Sequence, residues 1–512
     1  MEKTAEKLKV NESLLKTVLC SATFWGLLAH GMVLFNKYSF HDDVRYFNEV
    51  GATYESGRWM LGILGSLSAN LLGSKNYSLP VVNGTITILC IAAIVYLLVD
   101  SLKIQSKPLV ILLCGSMVTF PSVTGTFSYM FTAPYYYAAS LLGVVGAWLF
   151  HQKKNVVALL LCTVLMACSV GVYQANIPVC ICTLLLYMME DIRQSDMNWK
   201  AFWKMALCNA TVCIGFVTEY FLVNQYFLNQ FGVVLTDYKG INHFGRTNLS
   251  NYIYRILCGY GSFFYPSTAV EDFSARYVYT LLIIVTAIIA IFVLRKMYIL
   301  KTPKGCQTLL ILIAYPIAAC FVYLMVEPWD VHAVMTFGQA FAFALVVWFI
   351  DKYPEDRTKV EGALCKAAVA LLGVLVTLNI RYSNILYLKA DVMQTQMISY
   401  YTTLITRIES IEGYTEDAQV VYIGEYDKHD KNLVGISEYF DDLDLATYKG
   451  EPIFNDYAWK EAMEFWCGFA PELGDAAEFD GNVEVASMPC YPDQGSIRCI
   501  NGKIVVKFAD EP

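Results

Sequence analysis

Uncharged apolar stretches of about 20 residues recur along this chain, and they constrain its fold more than any single motif. A helix of that length crosses the hydrocarbon core of a bilayer. Inside the core only helices and closed barrels can satisfy their own backbone polar groups. Eleven stretches qualify, at roughly 17–36, 79–99, 108–122, 134–150, 155–171, 176–190, 203–224, 278–295, 307–326, 333–350 and 361–380. Of the 512 residues only 16% are charged, against about 25% in ordinary soluble domains. The sequence therefore predicts an all-α polytopic membrane protein with about 11 transmembrane helices. The opening segment 1–16, MEKTAEKLKVNESLLK, is long and mixed in charge, and no small-residue cleavage site follows the next apolar run. That run reads as a retained span, with 1–16 cytoplasmic.

Lys and Arg in short loops set orientation. With the N-terminus inside, the even-numbered connections carry Lys103 and Lys107; Lys153 and Lys154; Arg193 and Lys200; Arg295, Lys296, Lys301 and Lys304; and Lys352, Arg357 and Lys359. This alternation places the loops 37–78 and 225–277, the turn EPWDVH and the whole C-terminal region on the outer side of the plasma membrane. The inner loops are short, and no G-x-x-x-x-G-K-[ST] motif occurs in the sequence, which argues against an ATP-driven pump. The expected organisation is a membrane body over 17–380 followed by an extracytoplasmic region over 381–512.

Charge divides along the same line. Residues 401–512 hold 23 Asp/Glu and 8 Lys/Arg, or −15, and the preceding residues hold 22 and 29, or +7, which together give the chain's −8. No basic cluster is long enough to follow a nucleic-acid backbone. The apolar spacing in SNILYLKADVMQTQMISYYTTLITRIESIEGY predicts that the last span continues as an amphipathic helix. AQVVYIG and KIVVKF read as short buried strands, so the tail is expected to be a small α/β domain. Cys490 and Cys499 lie on the outer side, where a disulfide and two free thiols are both compatible with the sequence. No spacing of metal-binding motifs is present.

The polar stretch FHDDVRYFNEVGATYESGRW follows the first span directly. Asp42 and Asp43 read either as an interfacial anchor that caps the next helix or as a general base with a carboxylate neighbour. The sequence from 42 onward reads as one amphipathic stretch lying in the interface, with Arg45, Arg58 and Trp59 on it. Arg suits a lipid phosphate in such a setting. Later on the same face come Glu327, Trp329, Asp330 and His332. They read as an interfacial belt or, with His332 as donor, as a sugar or phosphate contact. Tyr135, Tyr136 and Tyr137 carry the same ambiguity between a tyrosine belt and a stacking surface for sugar or isoprenoid.

Asp42-Asp43-x-Arg45-Tyr46 with Gly57-Arg58-Trp59 resembles the first outer loop of the Gtr-type membrane glucosyltransferases, within the GT-C superfamily. VYQANIP with Tyr173 and Gln174, and the tail elements MPCYPDQGSI and GKIVVKF, are similar to that family too. The resemblance implies a bacterial, GT-C-like enzyme that moves a hexose, glucose by preference, from a polyprenyl-phosphate donor to a cell-surface glycan with inversion. It implies Asp42 as general base, assisted by Asp43. The substrate contacts it implies are Arg45, Arg58, Trp59, Tyr173, Gln174, Arg246 and His332, with Arg255 and Arg276 as further cations in the long loop. The resemblance fixes no cofactor, and paired carboxylates leave room for a divalent cation. A donor-synthesising glycosyltransferase and a flippase are expected partners, besides the bilayer itself. Two other readings compete: a lipid-linked glycan flippase or sugar transporter, and an O-antigen-type polymerase or ligase.

Overall fold

A computed structural model describes residues 11–236, 248–298, 303–424, 440, 443–447 and 458–510. All eleven apolar stretches form helix. Among the described residues seven helices are long and apolar enough to cross a membrane: Glu12–Phe35, Pro80–Ser101, Ala133–Lys153, Gln174–Gln194, Trp199–Phe231, Phe273–Lys296 and Lys359–Glu409. The helices Lys107–Val118 and Pro121–Phe127 meet at 43° and give an eighth if counted as one span. Pro121 causes that bend, because it has no N–H to donate and holds Phe120 extended at φ −61°, ψ 136°. Just before the break, the Val118 carbonyl accepts a hydrogen bond from His30 Nε2 at 2.9 Å.

The three remaining expected spans are shorter or interrupted. Val156–Val172 has 17 residues. The stretch 307–326 divides into Pro303–Ala319, with Pro316 inside it, and Val322–Met325. The stretch 333–350 opens with the tight 3-10 turns Ala333–Met335 and Phe337–Phe341 before the helix Ala342–Asp351.

The loop after the first span differs from the single amphipathic stretch expected. It forms one turn at Asp42–Arg45, a 3-10 turn at Tyr54–Ser56 and the helix Trp59–Leu72. Gly51 at φ 90° and Gly57 at φ 70° interrupt it. An L side chain resists that backbone region, so glycines there end one element and let the next start in a new direction.

Contacts divide the chain into two compact units, Met1–Lys37 with Asn48–Asn384, and Tyr38–Phe47 with Ile385–Pro512. In the larger unit, helices Glu12–Phe35 and Pro80–Ser101 meet through small residues. A Cβ on Gly84 would lie 2.0 Å from Leu34 Cδ2, and one on Gly26 would lie 2.8 Å from Ile88 Cδ1. Without a strong hydrophobic drive between helices in lipid, such close backbone approach is a main source of attraction. A fully buried carboxylate, Glu190, takes bonds from Arg193 Nε at 2.9 Å, Arg193 Nη2 at 2.6 Å, Gln194 at 2.6 Å and the Trp348 indole at 2.8 Å. That number of donors offsets much of the cost of burying the charge.

The smaller unit contains a three-stranded sheet. Strands β1 (Val420–Ile423), β2 (Ile497–Ile500) and β3 (Lys503–Lys507) run in the order β1-β3-β2, with β1 parallel and β2 antiparallel to β3. The β2–β3 link is Asn501-Gly502, both at positive φ, as the tightest hairpins require. Val421, Phe479, Val485, Met488, Ile500 and Val505 form its core. Buried Lys507 donates to the carbonyls of Val485, Ala486 and Met488 at 3.1, 3.3 and 2.9 Å. It thereby closes the end of the short helix Val483–Ala486. Two of the strands match the expected ones, and β2 was not anticipated. Cys490 and Cys499 are not joined by a disulfide.

Candidate active site

In the smaller unit the segment Tyr38–Phe47 presents the carboxylate pair unequally. Asp43 N–H bonds to the Phe40 carbonyl at 3.0 Å and Tyr46 N–H to the Asp42 carbonyl at 2.8 Å, which closes the turn Asp42–Arg45. Tyr38, Phe40 and Val44 are buried and anchor the segment. Asp43 is fully buried, and Ser39 Oγ donates to its Oδ2 at 2.6 Å. Asp42 keeps 30% of its side chain exposed, with His41 Nδ1 at 3.4 Å from Oδ1. Asp42 is thus the more accessible of the two carboxylates, and Asp43 the more deeply buried. Arg45 is exposed, and its guanidinium lies 5.9 Å from the ring of its neighbour Tyr46. Burial, followed by the nearby Asp391 carboxylate, pushes the Tyr38 phenol up to about 12.

In the larger unit four expected residues come together: Arg58, Trp59, Tyr173 and Gln174. Tyr173 ends the helix Val156–Val172, and Gln174 opens the 3-10 turn Gln174–Asn176. The rings of Tyr136 and Tyr173 stack at 4.1 Å, almost parallel at 2°. The Arg58 guanidinium carbon lies 5.4 Å from the centre of Tyr173 and 5.9 Å from that of Tyr136. These are cation–π distances. Gln174 Nε2 donates to the Ser56 carbonyl at 2.8 Å and to Tyr220 Oη at 3.1 Å, and Tyr220 Oη donates to the Gly57 carbonyl at 3.1 Å. Trp59 is buried against Gly171, where a Cβ would lie 2.5 Å from the indole. Gln174, expected as a substrate contact, thus braces the turn that carries Arg58, while Tyr136 belongs to the ring stack beneath it.

The cation set narrows. Arg255 is buried and bonds to Glu327 and the Leu324 carbonyl. Arg276 donates to the carbonyls of Val270 and Glu271 and lies over Tyr265. Both serve the fold and are poorly placed to take a ligand phosphate. Arg246 lies outside the described residues. His332 is exposed between the turns Pro328–Asp330 and Ala333–Met335, and its imidazole makes no hydrogen bond, ion pair or ring contact among the described residues. Among those residues no group of three His, Cys, Asp or Glu side chains is arranged to hold a metal ion.

Sequence reading missed Tyr220, Tyr54, Ser39 and Trp466. Tyr54 stacks on Phe231 at 4.2 Å, and Trp466 donates to the Ser39 carbonyl at 3.1 Å. Only Ser39 carried a local signal, as a hydroxyl four residues before Asp43.

Gly57 offers a test of the bracing. A Cβ there would lie 2.7 Å from Tyr220 Oη and 2.9 Å from Gln174 Nε2, on a backbone at φ 70°. Gly57→Ala is expected to cost about 1–3 kcal/mol of local strain and to lower activity through Arg58. Activity per folded molecule, measured with thermal stability in lipid, checks this; wild-type activity at wild-type stability would show that the turn tolerates the change.

The chain is largely helical, with a carboxylate turn at Asp42–Arg45 in the smaller unit and, in the larger, Arg58 held on stacked tyrosines. Residues 31–343 match the family described as glucosyl transferase GtrII, and the chain, more than half of which is matched, belongs to that family. It is thus a membrane glycosyltransferase by family and composition. No curated protein and no solved structure matches the chain. The match covers both carboxylates and every expected contact residue, and it stops before the tail elements that also carried the resemblance.

Proposed function

We propose that this protein moves a glucosyl group from a polyprenyl-phosphate donor to a cell-surface glycan at the outer face of the plasma membrane, with inversion and with Asp42 as general base. The observation that carries this reading is the unequal carboxylate pair within a glucosyl transferase family match: Asp42 partly exposed, Asp43 buried and bonded to Ser39. In the reaction the acceptor hydroxyl gives its proton to Asp42 as its oxygen bonds to the anomeric carbon. The bond from that carbon to the phosphate oxygen breaks, and polyprenyl phosphate leaves with the electron pair. A single displacement needs no covalent sugar–enzyme intermediate. Charge grows on the leaving phosphate, so a fixed cation there favours the transition state over the ground state. Arg58, fixed on its tyrosine pair, is assigned that role, and Arg45 is the alternative candidate.

Purified protein in lipid should transfer label from polyprenyl-phosphate [14C]glucose to a host surface-glycan extract, and should not use a nucleotide-linked glucose. Direct use of the nucleotide sugar would overturn the donor assignment. No transfer from any lipid-linked sugar, together with movement of a lipid-linked glycan across the bilayer, would replace the enzyme by a flippase.

A further inference from the structure

The segment Tyr38–Phe47 belongs to the same compact unit as the tail, and three contacts inside that unit hold it. The Tyr38 phenol lies near the Asp391 carboxylate on the long helix Lys359–Glu409. The ring of Phe47 lies 5.0 Å from that of Phe465. Next to Phe465, Trp466 Nε1 donates to the Ser39 carbonyl at 3.1 Å. Both aromatic residues lie on the helix Trp459–Cys467. Ser39 is therefore gripped through its backbone by an indole from the tail, while its own hydroxyl grips Asp43 at 2.6 Å. Between Ser39 and the carboxylates, His41 sits at φ 49°, a conformation that a non-glycine residue adopts only where its surroundings impose it.

We propose that Trp466 is a positioning residue for sugar transfer, fixing through Ser39 the turn that carries Asp42 and Asp43. The inference rests on the assignment of Asp42 as base. A misplaced base loses rate steeply, because proton transfer needs hydrogen-bond geometry in the transition state. The family match ends at residue 343, so this brace comes from a part of the chain that the match does not include. The tail then has a reason to be folded and close-packed around the segment: it completes the catalytic loop.

The test uses full-length protein in lipid. Trp466→Phe keeps an aromatic ring and removes the N–H donor together with part of the indole, and Ser39→Ala removes the hydroxyl that holds Asp43. Two readouts are taken: transfer kinetics with polyprenyl-phosphate glucose, and hydrogen–deuterium exchange of the amides at 39–46. Trp466→Phe is expected to lower kcat about tenfold with donor KM within about twofold of wild type. Exchange at 39–46 should rise while that of the β-sheet stays unchanged. The double variant should be little slower than Ser39→Ala alone, because both changes cut one chain of contacts. Wild-type kcat in Trp466→Phe, or losses that simply add, would overturn the proposal. If the wild type transfers no sugar, the functional reading fails by itself. The exchange experiment then still decides the brace, and unchanged exchange at 39–46 removes it. Should Trp466→Phe not fold, Ser39→Ala carries the same kinetic test, and a raised donor KM with wild-type kcat in that variant counts against positioning.

Discussion

Asp42→Asn is expected to cut kcat for sugar transfer by about 10²–10⁴-fold, the usual contribution of a positioned general base. The substitution keeps the size of the side chain and removes its ability to take a proton. Donor binding should survive, because in this reading the donor phosphate is held by Arg58, outside the segment Tyr38–Phe47. The same change at Asp43 should behave differently. Asp43 is fully buried and receives the Ser39 hydroxyl at 2.6 Å, so its first duty is to the turn. An Asn there can still accept that bond through its side-chain oxygen, and the cost should fall on stability and yield more than on kcat. The comparison decides the roles: single-turnover transfer on the two variants, each normalised to folded protein. Equal, small losses in both would make the pair an interfacial anchor and remove the mechanism. A large loss in Asp43→Asn with an active Asp42→Asn would exchange the two assignments.

How far the sequence alone carries such an assignment depends on the kind of contact. The helices were legible because composition decides them: all eleven apolar stretches became helix, and the amphipathic continuation past 380 is the second part of Lys359–Glu409. Their lengths were less legible, since Pro121 and Pro316 and the 3-10 turns before Ala342 act locally on otherwise uniform apolar runs. The hairpin turn Asn501-Gly502 is a strong local signal, but β2 preceding it has inward residues at its two ends and Arg498-Cys499 between them, which hides the alternation of a strand. The carboxylate pair was found by residue type. Which member faces outward was not legible, because that depends on Ser39 and on the packing of Phe40 and Val44. Trp466 could not be found at all, as its bond to Ser39 spans 427 positions with no pattern linking the two. Gln174 shows a different limit: the resemblance implies a substrate contact, whereas its amide braces the chain at Ser56 and Tyr220.

Arg58→Ala is expected to lower kcat/KM for the lipid-phosphate donor by about 10²–10³-fold, the scale seen when one group that stabilises developing negative charge is removed. Arg58→Lys separates charge from shape. Lys keeps the cation but loses the planar guanidinium that can lie on Tyr173 while offering two parallel N–H groups to a phosphate. A cation–π contact contributes about 0.5–2 kcal/mol depending on desolvation, so Lys should recover only part of the loss. Tyr173→Phe keeps the ring under Arg58 and should stay close to wild type, whereas Tyr173→Leu removes the platform at 5.4 Å and should fall by about tenfold. The pattern matters more than any one value. Loss confined to kcat in Arg58→Ala means that the cation acts on the leaving phosphate in the transition state. Loss confined to KM means that it holds the donor equally before and during reaction. If Arg58→Ala retains both parameters within about twofold, the stacked tyrosines serve only to fix the turn, and the donor phosphate is held by Arg45 or by cations elsewhere in the chain.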